Sequence, residues 1–108
     1  MIDVTFFKNS NEEFTGFRFS GHADFADRGE DVVCAGVSAL VFNTVNSIEA
    51  LTEDHTKLDM KDEGFIDFRL TSDISEATRI LLKSLYIGVS GISEDYGTDF
   101  VKIHFKEV

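Results

Sequence analysis

The sequence predicts an α+β fold in a single domain, with element order ββαββαβ and one mainly antiparallel sheet carrying two main helices. Three observations predict it. Short runs near positions 2–7, 15–19, 66–70 and 101–105 alternate apolar and other residues at the strand period, whereas two longer segments repeat apolar residues at steps of three and four. No linker, internal repeat or low-complexity stretch divides residues 1 to 108. With 43% hydrophobic residues and 11 phenylalanines, a chain of this length supports a core without disulfides or metals.

Ile2, Val4 and Phe6 define the first strand, and "NSNE" at 9–12 reads as a turn into a second with Thr15, Phe17 and Phe19 on one side. Residues 20–30 are expected to be a loop. From Asp31, a natural N-cap, a helix is expected with Val33, Val37, Leu40, Val41, Ile48 and Leu51 on its apolar stripe. "KLDM", "KDEG" and "FIDFRL" read as a hairpin turning at Gly64. Asp73 with Glu76 resembles a cap for the second helix, whose stripe would be Ile74, Ala77, Leu81, Leu85 and Ile92. Gly97 stops that helix. The last strand turns Val101, Ile103 and Phe105 inward and Lys102, His104 and Lys106 outward. Phe7, Phe65 and Phe100 fall on the supposedly outer side, which predicts a second covered face or a partner subunit. A homodimer is the expectation.

Ten basic and twenty acidic residues give a net charge of −10. Such a chain repels phosphate backbones, so no direct nucleic-acid contact is expected, whereas a basic protein or peptide is attracted. The sequence suggests no run approaching the ~18 uncharged apolar residues of a membrane span, and the start "MIDVTFFKNS" lacks the basic region and cleavage site of a signal peptide. One cysteine forms no internal disulfide, which suits a reducing cytoplasm.

That cysteine, Cys34, follows His22 by twelve residues within "SGHADFADRGEDVVCAGVSAL". Taken alone, a free cysteine is a small hydrophobe and a loop histidine is a surface residue. Capping at Asp31 would place Cys34 in the first helical turn, where unpaired N–H groups and the helix dipole favour a thiolate. Amides around Cys34 and Ala35 would then hold an oxyanion, with His22 as general base and acid. Gly21 and Gly29 would let the loop move or approach a substrate backbone. Asp31 could cap the helix or orient His22, and Ser38 shares a face with Cys34 and could donate a hydrogen bond or simply pack. His55 and His104 are expected at the surface. His22, Asp24, Asp27 and Cys34 show no paired metal-ligand spacing, and no P-loop or dinucleotide fingerprint is present, so no cofactor is expected.

"GHADFADRGEDVVCAGVSAL" resembles the signature of the ribosomal-processing cysteine protease family, Prp. Gly21, His22 and Ala23 match its first part, and Gly29 with Asp31 through Ala39 matches its second. The resemblance implies a cytoplasmic, dimeric cysteine endopeptidase with His22 and Cys34 as its dyad. It would remove a short N-terminal extension from large-subunit ribosomal protein twenty-seven. Two other classes fit the residues: a non-catalytic acidic factor binding a basic ribosomal protein during assembly, and a redox-sensing thiol protein. The latter lacks a second cysteine to resolve a sulfenate.

Overall fold

The computed structural model describes residues 1–21, 28–61 and 64–108, with the backbone alone at 28–31. Their elements follow the expected order: β1 (Ile2–Lys8), β2 (Phe14–Gly21), α1 (Arg28–Leu51), β3 (Thr56–Lys61), β4 (Phe65–Leu70), α2 (Glu76–Tyr96) and β5 (Val101–Glu107). The sheet order is β3-β4-β2-β1-β5. Its pairs are antiparallel except β1 with β5, which run parallel because α2 carries the chain across before β5 begins. Alternation decides the core face. Val4 lies opposite Phe19, Phe6 opposite Phe17, and Phe17 in turn opposite Phe68, all of them buried. Both helices cover this face.

Helix α1 starts at Arg28, three residues before the expected cap, so Asp31 is a helical residue and not the N-cap. Its core stripe is Val33, Val37, Val41, Val45 and Ile48. Leu40 sits on the flank that meets α2, where a Cβ on Gly88 would come 2.8 Å from a Leu40 methyl. Leu51, expected in the stripe, is 71% exposed because the helix ends at that residue, past the buried Ile48. Val32–Leu51 does have the length and composition of a membrane span, contrary to the sequence expectation. In this fold its valine stripe packs on the sheet.

Helix α2 is capped by Ser75, not Asp73: the Ser75 hydroxyl accepts from the Thr78 amide at 3.2 Å. Its buried residues are Thr78, Leu82, Leu85 and Val89, which rotates the stripe away from Ala77 and leaves Leu81 and Ile92 partly buried at its margin, Ile92 beside Gly36 of α1. The Asp54 carboxylate, just beyond α1, fixes this cap by accepting from both the amide and hydroxyl of Ser75, each at 2.9 Å. Bonds from the Thr78 hydroxyl and the Ser75 amide hold the Asp54 carboxyl below the usual carboxylate range. A lowered folded value contributes stability that is present above the unfolded value of about 3.9 and lost as pH falls through the folded value. Asp54→Ala is therefore expected to lower unfolding stability by about 1 kcal/mol at neutral pH. The deficit should shrink on acidification, as chemical denaturation at stepped pH would show. A pH-independent deficit would assign the loss to packing instead.

The outer sheet face carries its own cover. Phe7 is 2% exposed. The Arg69 guanidinium stacks 3.5 Å from its ring centroid, with Arg18 also close, and both arginines bond Asp67. Phe65 has Arg18 and Lys61 as its cations. Phe100 lies ahead of β5 and packs against the core cluster. These aromatics thus find partners within the chain, so they do not require a subunit on this face.

Candidate active site

Cys34 lies on the flank of α1 between the buried stripe and solvent, and is half-buried. Steps of four bring Ser38 and Phe42 onto the same flank. Together they line a cavity of about 260 Å³ with Phe19 from β2, Met60 and Lys61 from β3, and Gly64, Phe65 and Ile66 at the start of β4. The walls are mainly apolar and aromatic. The thiol thus opens onto a concave, mainly apolar surface. A core cysteine has no such opening.

Gly21 closes β2 beside this cavity. Its amide donates to the Gly64 carbonyl at 3.0 Å, and its φ of 101° lies in a region that L side chains rarely adopt. A Cβ here would also collide with the carbonyl oxygen of Met1. The chain therefore enters residue 22 from a point anchored to a cavity-lining residue. His22, Asp24 and Asp27 lie outside the described residues, as do the Asp31 side chain and most of the glycine-bounded loop.

The structure thus brings Gly21, Cys34 and Ser38 to one corner of the molecule. Ala35 is exposed on the neighbouring face of α1 and does not line the cavity among the described residues. Because α1 begins at Arg28, Cys34 is its seventh residue. The amides free of intrahelical partners are those of the first turn, residues 28–31, and not those of Cys34 and Ala35. The expectation of a first-turn cysteine is corrected accordingly, since the dipole effect fades beyond that turn.

Sequence reasoning missed Phe42, Met60, Lys61 and Phe65. The spacing of Phe42 from Cys34, eight residues along a helix, was a usable signal. Nothing local pointed to the hairpin residues. His104, by contrast, pairs with Asp3 at 2.8 Å on β5 and β1, across the sheet from β3. Among the described residues no three histidine, cysteine or carboxylate side chains converge as metal ligands.

Comparison with known proteins accords with this geometry. The family model described as "Cysteine protease Prp" matches residues 1–101. The ribosomal processing cysteine protease Prp of Bacillus subtilis is 31% identical over 101 residues, covering 89% of this chain and 90% of that protein. A crystal structure of the essential ribosomal processing protease Prp from Staphylococcus aureus with a covalently linked product peptide superposes with a TM-score of 0.89. It is 29% identical and covers 98% of this chain and all of that one. The same protease with a substrate peptide gives a TM-score of 0.88 at 28% identity, again over 98% of this chain and 100% of that one. A half-buried thiol in an apolar cavity, on a fold and sequence matched from end to end, leaves one assignment: this chain belongs to the cysteine protease Prp family.

Proposed function

We propose that the protein is a cytoplasmic endopeptidase that removes the short N-terminal extension of large-subunit ribosomal protein twenty-seven, using Cys34 as nucleophile and His22 as its base. The observation that carries this reading is the cavity itself. It holds the thiol and is lined by Gly64, which anchors Gly21, the residue preceding His22. His22 accepts the thiol proton as sulfur attacks the scissile carbonyl, then gives that proton to the departing amine. Water, deprotonated by the same imidazole, clears the thioester. Helical side chains lean toward the N-terminal turn, so the Cys34 sulfur is directed toward the free amides of residues 28–31, which supply the oxyanion donors. Ser38 serves as a further polar wall of the cavity.

Phe19 and Phe42, with Met60, supply an apolar site for a bulky side chain next to the scissile bond. The −10 charge attracts the basic body of a ribosomal protein. A homodimer finds a suitable surface on the solvent side of the helices, where Val32, Ala35 and Ala39 of α1 and Ile80, Ser84 and Ile87 of α2 present no charge between like-charged copies.

Mass spectrometry of a synthetic peptide copying that extension should reveal one cleavage site. Prior alkylation of the enzyme with iodoacetamide at neutral pH should remove at least about 99% of the activity. An unreacted thiol with the peptide bound but intact would instead favour the non-catalytic assembly factor.

A further inference from the structure

Strand β3 is an edge of the sheet. The Thr71 amide donates to the His55 carbonyl at 2.8 Å, and bonded pairs in an antiparallel ladder recur at every second residue. In the register that sets Lys57 opposite Arg69 and Asp59 opposite Asp67, the odd-numbered residues of β3 bond to β4. The N–H and C=O groups of Thr56, Leu58 and Met60 therefore point away from the sheet. No strand among the described residues meets them.

The same three residues carry their side chains on the core face, since Leu58 lies opposite the buried Phe68 and Met60 opposite the buried Ile66. Yet Leu58 is 39% and Met60 51% exposed, and Phe42 on the facing flank of α1 is 42% exposed. An open apolar slot thus runs along the free backbone edge. It is continuous with the thiol cavity, because Met60 and Phe42 line both.

We infer that the substrate docks as an extended strand on the free edge of β3, bonding the outward groups of Thr56, Leu58 and Met60. Every second side chain enters the slot beside Leu58 and Met60, and the strand leads its scissile bond to Cys34. Strand addition of this kind takes affinity from main-chain bonds and selectivity from alternate side-chain pockets. The occupant is an apolar-patterned peptide segment and not a second copy. Two copies of this chain, each with a net charge of −10, repel one another. The other face of β3 presents Lys57, Asp59 and Lys61, charges of the kind that native edges use against self-pairing. The uncharged helix face is the better meeting surface for two copies.

The inference rests on the protease reading, and the test separates the two. The full chain bearing Cys34→Ala is mixed with the synthetic extension peptide, and amide hydrogen exchange is followed by NMR. Saturating peptide should slow exchange at Thr56, Leu58 and Met60 by about tenfold or more and leave Lys57, Asp59 and Lys61 unchanged. Peptides N-methylated at alternate backbone positions should bind about tenfold more weakly, and those methylated at the intervening positions as well as the parent. Bound peptide without slowing at these amides overturns strand addition while leaving wild-type cleavage intact. Slowing that develops in free protein with rising concentration overturns it in favour of a second copy. A wild type that neither binds nor cuts the peptide removes the protease reading and this inference together.

Discussion

Replacing Cys34 with alanine is expected to lower kcat for peptide cleavage by at least about 10³-fold, with the far-ultraviolet circular dichroism unchanged. The thiol is half-buried on the flank of α1, so loss of one sulfur atom leaves the valine stripe and the sheet contacts in place. Cys34→Ser should be nearly as inactive, because a hydroxyl beside a lone imidazole is a far poorer nucleophile than a thiolate. His22→Ala should cost about 10²- to 10⁴-fold, the usual contribution of a positioned base. Peptide binding should survive in all three, since the bulky apolar walls of the cavity and the β3 edge are untouched. Turnover within tenfold of wild type in either alanine variant would remove that residue from the chemistry. Because the two side chains act as a unit, the Cys34→Ala/His22→Ala double variant should be no slower than the worse single one.

Gly21→Ala is expected to destabilise the fold by about 3 kcal/mol, more than any surface substitution would. Two causes combine. The backbone φ of 101° is strained for any L side chain, and the added methyl meets the Met1 carbonyl oxygen, which cannot yield without disturbing the pairing of Ile2 with Gly21. The urea midpoint should fall with an unchanged denaturant slope. Under conditions where the variant is folded, kcat/KM should still drop about 100-fold. The strand end that launches residue 22 is displaced, and small misplacements of a base are costly. A folded, fully active Gly21→Ala enzyme would show that the exit geometry from β2 does not set the position of His22. Asp54→Ala, which destabilises by a different route at a residue outside the cavity lining, should leave kcat/KM unaltered and so serves as the control.

Much of this was legible in the chain. Period-two alternation at Ile2, Val4 and Phe6, or at Ile66 and Phe68, identifies strands and their buried face because every second side chain must share one side. The helical stripes were legible too, although their ends and phase were less so. Capping depends on which hydroxyl or carboxylate meets the free amides. That choice at α2 went to Ser75 because Asp54, twenty-one residues earlier in sequence, holds it there. The start of α1 was misplaced for a related reason: Asp31 is a good cap by type, yet the helix extends through it to Arg28.

By itself the sequence determined the order of elements, the acidic field and the presence of one thiol with an imidazole nearby in the chain, because these follow from residue type and local spacing. The surroundings of that thiol were decided only by the tertiary structure. Phe19, Phe42, Met60 and Phe65 come from different elements, and they meet only because the sheet order sets β3 and β4 beside the flank of α1. The guanidinium cover over Phe7 has the same origin. Local periodicity records which face of an element is apolar, but it carries no term for which distant element that face will meet.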